Sequence, residues 1–326
     1  NHRFYENKVR KTDFNIFAKA DVSLSDQLSF FGDLQYRYVN YDVEGIDEGP
    51  VVVGLEDQNN FFNPKLGVNY FMDNSNFYLS YAKGHKEPKR ADYLANNEVK
   101  PESLDDIELG WNYDSDRFRL KMNLYYMNYR DQLVLTGNLD DVGNPIADNI
   151  GKSYRLGLEI EAVLKLLDNL TWQPNVALSR NKNIDKFYDF DGELRNFGDT
   201  DLSFSPNFIA GSNIRYVPFK NFNISFLTKY VGEQYMSNIE LEASKLDAYF
   251  INDLQVRYEI KTENLFKSVV FTGLVNNVFN VKYVSNGYFY TYDDTWSDPG
   301  QVTTITGAGY YPQAEINFLL GVNLKF

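Results

Sequence analysis

The chain contains no cysteine and only two histidines among its 326 residues. The absence of cysteine excludes disulfides and thiolate metal sites, and the shortage of histidine argues against a metal or haem site, so we expect no cofactor and no resident metal. No stretch approaches 18 consecutive apolar residues, which excludes a transmembrane helix. Lys and Arg number 32 against 45 Asp and Glu, so we expect no nucleic acid as a partner. The chain opens at Asn1 without a signal peptide, as a fragment or processed product would.

Tyrosine and phenylalanine are abundant instead, at 25 each, although the chain is polar on average. Apolar and polar residues alternate with a period of two, for example over Gln313–Phe326 and Arg117–Tyr129. This alternation predicts β-strands. The runs are about 10 to 14 residues long, against about 5 to 6 for a globular strand and about 9 to 11 for a strand that crosses a bilayer. The pattern therefore favours an antiparallel transmembrane β-barrel.

About thirteen such strands are joined by connections that alternate strictly between short and long. The predicted strands are residues 12–24, 28–41, 61–72, 77–84, 104–113, 117–130, 151–166, 170–181, 201–216, 222–235, 247–260, 268–279 and 313–326. The long loops are residues 42–60, 85–103, 131–150, 182–200, 236–246 and 280–312. The alternation places every long loop at one end of the sheet, as in outer-membrane barrels.

The net charge of −13 follows the same division. The six long loops together carry −15, so the remainder of the chain carries a small positive charge. Solvation explains why loops are polar, but it does not explain why their charge is so strongly of one sign. We therefore expect an acidic outer face above a nearly neutral wall.

Seven short segments, in their order along the chain, resemble the C-terminal part of a TonB-dependent outer-membrane receptor of the Bacteroidetes type. They are Asn63–Tyr70, Phe77–Gly84, Lys100–Ser103 leading into Ile107–Gly110, Leu124–Arg130, Tyr154–Glu159, Asn276–Asn280 followed by Lys282 and Tyr283, and the terminal Phe326. The resemblance implies a 22-stranded barrel that encloses a plug, of which residues 1–326 are the last thirteen strands. An odd number of strands does not complete a bacterial barrel. Residues 1–11 would then close an outer loop.

The resemblance implies transport rather than catalysis, and no catalytic motif surrounds any serine, histidine or aspartate. The implied function is active uptake of a ferric siderophore or another iron complex, driven by the TonB–ExbB–ExbD complex. Phe326 would be the signal read by the barrel-assembly machinery, and the wall would contact outer-membrane lipids. Uptake of cobalamin, haem or an oligosaccharide is an alternative. A passive porin, an outer-membrane enzyme and a soluble all-β binding protein are more remote.

Two sets of loop residues are candidates for ligand binding. Lys86, Lys89 and Arg90 form the one dense group of cations in a predicted outer loop, where an anionic siderophore would meet them. They would otherwise pair with Glu87 and Asp92, or with lipopolysaccharide phosphates. The second set holds aromatic side chains that would stack on a ligand or pack the loop against itself. It comprises Tyr288, Tyr290, Tyr292 and Trp296.

Two further features of the loops suggest less specific sites. His85 replaces an aromatic residue that the family often carries, and we expect it to be a solvated loop histidine. The acidic residues of the first long loop have the oxygen ligands that Ca²⁺ prefers but lack the EF-hand spacing. These residues are Asp42, Glu44, Asp47 and Glu48.

Overall fold

The computed structural model describes residues 6–47, 51–96, 98–139, 145–262 and 266–326, which fold almost entirely as antiparallel β-structure. The first elements are β1 (Glu6–Ser23), β2 (Leu28–Asp47), β3 (Val51–Met72), β4 (Ser75–Lys86), α1 (Arg90–Ala95), β5 (Glu102–Asp114), β6 (Phe118–Arg130), β7 (Leu133–Leu139), β8 (Pro145–Asn149), β9 (Lys152–Leu167) and β10 (Leu170–Asn183). They are followed by β11 (Phe187–Phe190), β12 (Glu193–Asn196), β13 (Thr200–Asp201), β14 (Phe208–Tyr216), β15 (Phe222–Val231), β16 (Gln234–Tyr235), a 3-10 turn (Glu242–Ser244), β17 (Lys245–Leu246), β18 (Tyr249–Lys261), β19 (Ser268–Asn276), β20 (Val284–Asp294), β21 (Thr303–Pro312) and β22 (Asn317–Lys325).

Thirteen of these strands form one continuous sheet, which we call the wall. Their order is β1-β2-β3-β4-β5-β6-β9-β10-β14-β15-β18-β19-β22, and β13 joins the side of β10. Every pairing is antiparallel and connects strands that follow one another along the wall. The thirteen predicted strands correspond to these thirteen one by one, which confirms the strand count and the meander topology.

The strand register aligns the main apolar positions of neighbouring strands on one face of the wall. Across β18, β19 and β22, Tyr258 lies opposite Phe271, and Phe271 lies opposite Val322. Phe271 and Val322 are 44% and 62% exposed, so this face has no protein covering. A continuous apolar surface of this extent is stable only in apolar surroundings, and strands of this length match a bilayer.

The opposite face of the wall carries polar side chains that bond to one another. The Tyr78 hydroxyl donates to Asn123 Oδ1 over 3.0 Å, and Asn213 Nδ2 donates to Gln173 Oε1 over 3.1 Å. Gly110 is required beside Tyr78, because a methyl group at that position would overlap the tyrosine ring. This face is the polar interior expected of a wide barrel.

The β2–β3 hairpin of the wall extends beyond its predicted length. Residues 42–60 are predicted as a loop, but β2 continues to Asp47 and β3 begins at Val51. The predicted outer loop over residues 1–11 is likewise wrong from Glu6 onward, where β1 begins. The acidic residues alternate with β-branched ones, and cross-strand pairs such as Val43 with Leu55 keep the register without a break. Charge alone therefore misleads the loop prediction here.

The predicted strand 201–216 is shorter than expected. β14 begins only at Phe208, because Phe204 has a φ of 51° and Pro206 has no backbone N–H to donate. The short β13 precedes this break and pairs with the end of β10. The chain therefore leaves the wall and returns to it within this segment.

The connections divide the wall into two ends. At one end, which we call the turn rim, the predicted short turns are confirmed, as at Asp168–Asn169 between β9 and β10. At the other end, the loop rim, the long connections contain the hairpins β7–β8, β11–β12, β16–β17 and β20–β21. Neither helix in the described ranges is long and apolar enough to cross a membrane. β1 and β22 are the two edges of the wall.

Candidate functional site at the loop rim

The connections at the loop rim pack against one another around two apolar clusters. The first is formed by Tyr93, Val99 and Leu133, from the connections after β4 and β6. In the second, Phe289 of the β20–β21 hairpin meets Met236, which follows β16, and Leu246 of β17. Because these side chains are 9% exposed or less, the loops form a packed layer above the wall.

The three predicted cations lie at the junction of β4 and α1. Lys86 ends β4, Lys89 precedes α1, and Arg90 is its first residue. We call them the cation cluster. Within the described residues none of them takes part in an ion pair, and the Nε atom of Arg90 is buried without a hydrogen bond. The cluster is therefore free of acidic partners in this part of the chain.

The acidic neighbours that the sequence offers to this cluster are engaged elsewhere. The carboxylate of Glu87 accepts hydrogen bonds from Arg37 at 2.8 Å and from Lys11 at 2.9 Å. Asp92, which is 2% exposed, accepts the backbone N–H groups of Lys89 and Ala147. The structure therefore contradicts the alternative that Glu87 and Asp92 neutralise the cation cluster.

The pKa of Glu87 reports how firmly it is held. Burial raises the pKa of this carboxyl, but the hydrogen bonds from Arg37 and Lys11 outweigh burial and bring the pKa to about 2. Arg37 also binds Asp13 of β1 over 2.6 Å. This network ties the edge strand β1 to the segment that carries the cation cluster.

His85 is not a solvated loop residue, contrary to the sequence-based expectation. It lies on β4, where its ring stacks on Phe61 with centroids 5.2 Å apart. Its Nδ1 atom lies 2.7 Å from Asn63 Oδ1. The histidine thus packs against β3, a contact that the sequence pattern gave no reason to expect.

The predicted aromatic set lies on and beside β20, with its rings in a row that we call the aromatic ladder. The ladder comprises Tyr288, Tyr290, Tyr292 and Trp296, which are 43%, 41%, 46% and 68% exposed. Successive ring centroids are 6.3, 6.5 and 6.1 Å apart, and the interplanar angles are 19°, 12° and 1°.

Two roles were predicted for aromatic residues in this loop, stacking on a ligand and packing the loop against itself. Because side chains alternate along β20, successive residues face different surroundings. Phe289 faces the packed loops and is 4% exposed, whereas Tyr288 and Tyr290 lie on the other face of the hairpin. There they cover Gly309 and Gly307 of β21, where any side chain would overlap the tyrosine rings. The glycines let the rings lie against the hairpin while leaving them exposed. The ladder is therefore available for stacking on a ligand.

The loops also enclose a cavity of about 410 Å³, which we call the loop cavity. Its walls come from four connections and include Asp148, Lys186, Tyr188, Ile239 and Phe289. Lys186 is not among the predicted site residues, because an isolated lysine in an acidic segment carries no motif. A second depression, of about 620 Å³, lies away from the loops. It belongs to the exposed apolar side of the wall.

Other predicted residues have simpler surroundings. Phe326 is 72% exposed, and its ring contacts Phe266 at a centroid distance of 4.9 Å. Asp42 and Glu44 lie on β2, whereas Glu48 lies outside the described residues. Within the described ranges, no three His, Asp or Glu side chains form a group suited to a metal ion.

Residues 2–281 of the chain match the family described as "TonB dependent receptor-like, beta-barrel". No curated protein sequence matches the chain.

Several solved structures share its fold. The siderophore receptor PiuA from Acinetobacter baumannii aligns with a TM-score of 0.75 at 14% identity, over 99% of this chain and 44% of PiuA. The ferric-catecholate import receptor Fiu from E. coli K12 aligns at 0.69 and 16%, over 98% and 45% of the two chains. The copper transporter OprC aligns at 0.74 and 14%, over 98% and 48%. At these identities the likeness concerns the fold, and the chain spans less than half the length of each structure.

Proposed function

Because the chain belongs to the TonB dependent receptor-like β-barrel family, we propose that residues 1–326 form the C-terminal portion of a plugged receptor that imports a ferric siderophore or another iron complex. The family consists of outer-membrane transport receptors, and the exposed apolar face of the wall is the surface that contacts lipid. The polar face then lines the interior. We propose no catalytic step, because import by such a receptor moves the cargo without making or breaking its covalent bonds.

The observation that carries this proposal is the arrangement at the loop rim. A packed layer of loops presents three cations, which have no ion-pair partner among the described residues, and a row of exposed aromatic rings above a wide barrel wall. Unpaired cations attract an anionic complex, and exposed rings contact the flat organic parts of a chelator. PiuA and Fiu, whose names denote siderophore and ferric-catecholate import, share this fold and support an iron complex as the cargo.

The proposed partners follow from the barrel's width. Side chains do not fill a barrel of about 22 strands, so a plug is needed to close it. The outer membrane has no energy source of its own, and we propose that TonB–ExbB–ExbD supplies the energy that moves the plug. The barrel-assembly machinery is the proposed partner during insertion, with Phe326 as part of its signal.

The test compares cells that contain or lack the receptor on single iron sources, with TonB present or disrupted. We expect the receptor to support growth on one ferric siderophore, and we expect growth to fail without TonB although the siderophore still binds to whole cells. Growth that continues without TonB would indicate a passive porin. Receptor-dependent growth on cobalamin, haem or an oligosaccharide, with no iron phenotype, would replace the proposed cargo.

A further inference from the structure

The loop cavity is built by hairpins that are tied to one another rather than by free loops. The hydroxyl groups of Tyr188 on β11 and Thr291 on β20 lie 2.6 Å apart. Asp191 joins the same two hairpins through Thr304, which donates its backbone N–H over 2.9 Å. Lys186 stands just before β11, where its backbone N–H and C=O pair with Gly198 and Phe197. The position of Lys186 is therefore set by the hairpins.

Lys186 differs in its ionic surroundings from Lys182, which lies four residues earlier in the chain. Lys182 lies between Asp201 and Glu240, with N–O distances of 2.7 and 2.9 Å. Among the described residues, no carboxylate lies within ion-pair distance of Lys186. Asp148 also lines the cavity, and it is held by Asn96, whose Nδ2 atom donates to it over 3.1 Å.

The surroundings of Lys186 are poor in water as well as in counter-charge. Burial lowers the pKa of its ammonium group, and the negative charge of Asp148 opposes this shift without reversing it. A cation that loses hydration without gaining a partner is costly, and that cost is recovered when an anion binds. This lysine is thus prepared for an anionic group from outside the chain.

We propose that the loop cavity binds an organic acid, whose carboxylate or phenolate pairs with Lys186 while its apolar body contacts Ile239 and Phe289. The volume of about 410 Å³ lies in the range of small-ligand sites, about 300–1,000 Å³. Ile239 and Phe289 give the body of the ligand apolar contacts, which a small inorganic anion would not use.

The remaining polar groups of the cavity restrict the ligand further. The hydroxyls of Tyr188 and Thr291 are paired with each other, and Ser237 is paired with Ser244 at 2.8 Å. Because these groups are occupied, a ligand rich in hydroxyls gains little here. The negative charge of Asp148, which lines the same cavity, disfavours a second negative charge on the ligand. A singly charged acid with an aromatic or aliphatic body fits best.

This inference rests on the proposed function only in that the acid would belong to the imported cargo. Binding to the cavity needs neither TonB nor transport, so it is tested on the purified complete receptor. Loss of binding with intact uptake would refute the inference alone, and intact binding without uptake would refute the proposed function alone.

The first experiment measures the rate at which an amine-acetylating reagent modifies each lysine, using mass spectrometry. Benzoate is the probe, benzamide is its neutral isostere, and all samples are matched in sodium chloride. We expect benzoate to slow the acetylation of Lys186 at least threefold, benzamide to leave it unchanged, and the exposed Lys100 to respond to neither. Equal effects of the two compounds, or none, would overturn the proposal.

The second experiment separates the charge of Lys186 from its packing. Saturation-transfer NMR of benzoate is compared for the wild type, Lys186→Met and Lys186→Arg, with Lys100→Met as the matched control. We expect the benzoate signal to be lost in Lys186→Met and retained in Lys186→Arg and Lys100→Met. Retention of the signal in a folded Lys186→Met receptor would also overturn the proposal.

Discussion

Glu87 shows how a single side chain holds the cation cluster in place. It lies between Lys86 and Lys89 in sequence, yet it turns away from both and binds Arg37 and Lys11. Within the described part of the chain the neighbouring cations have no ion-pair partner, because the carboxylate next to them binds Lys11 of the edge strand β1 and Arg37 of β2. The sequence alone allowed both pairings. The choice between them depends on the segment after β4 reaching Arg37 of β2 and Lys11 of β1, which lie beyond β3 in the wall.

The variant Glu87→Gln is expected to lower the free energy of unfolding by about 1–2 kcal/mol, since it leaves Arg37 with fewer charged acceptors. The measurement is guanidinium unfolding of the receptor in lipid vesicles. Glu98→Gln is the control, because Glu98 lies in the same connection, is exposed and makes no ion pair among the described residues. Equal stability of Glu87→Gln and the wild type would show that the network contributes nothing.

The stabilisation by Glu87 depends on pH in a defined direction. Its pKa falls from the ordinary 4.5 to about 2 in the folded protein. A lowered carboxyl pKa contributes stability that is complete above pH 4.5 and is lost as the pH falls toward 2. The difference in unfolding free energy between wild type and Glu87→Gln should therefore shrink across this interval.

At the scale of strands, the alternation of apolar and polar residues was enough to predict the wall. Phe271 and Val322 lie on one face because each belongs to the alternating apolar positions of its strand. The observed register places the two residues opposite each other. Alternation did not predict where strands end. At Val43 an acidic segment stays in the sheet because its cross-strand pairs continue. At Pro206 a segment of alternating apolar and polar residues leaves the sheet, because proline has no backbone N–H to donate.

The assignment of alternate residues to the lipid-facing and polar faces is directly testable, because the chain has no native cysteine to remove. A fluorophore attached to Val256→Cys on β18 is expected to be quenched by nitroxide lipids. The same label at Gln255→Cys, one residue away on the polar face, is expected to be quenched about tenfold less. Quenching of equal strength at both positions would contradict the assignment of the two faces.

The aromatic ladder was predicted as a set, but its geometry follows from its partner strand. Glycines at 307 and 309 make room for the rings of Tyr290 and Tyr288, and no rule based on aromatic residues alone identifies them. Lys186 was missed for a similar reason. Its lack of a partner is a property of the assembled hairpins, whereas the sequence shows it beside several aspartates.

Tyr290→Ala is expected to weaken binding of the ferric siderophore about twofold to tenfold, the effect of losing one aromatic contact of about 0.5–1.5 kcal/mol. Binding is followed by fluorescence titration of the purified receptor. Tyr216→Ala is the matched control, because Tyr216 has the same 41% exposure but lies on β14 at the turn rim. If the two variants bind alike, the ladder does not contact the cargo.

For the whole molecule, the distribution of charge determines what approaches the receptor. The chain carries −13 in total, and its long connections are more acidic than the rest. An anionic cargo meets this unfavourable field before it meets any side chain. The cation cluster therefore acts as a local attraction within a repulsive surface, which favours one route of approach over others.

Neutralising the cation cluster by Lys86→Gln, Lys89→Gln and Arg90→Gln together is expected to weaken binding of an anionic ferric siderophore about threefold to tenfold at low salt. The difference should shrink toward zero as salt rises, because the Debye length falls to about 3 Å at 1 M. Isothermal titration over a series of sodium chloride concentrations measures both effects.

The control for this variant changes the net charge equally but at the opposite end of the wall. Lys220→Gln, Lys261→Gln and Lys267→Gln together remove three positive charges near the turn rim, between β14 and β15 and between β18 and β19. If net charge alone governed binding, the two triple variants would weaken it alike. If the position of the charges governs binding, only the cation-cluster variant loses affinity for the siderophore. The reason is that charges separated by more than a Debye length are screened from each other. A weakened control would therefore assign the effect to the overall field and remove the cation cluster from the site.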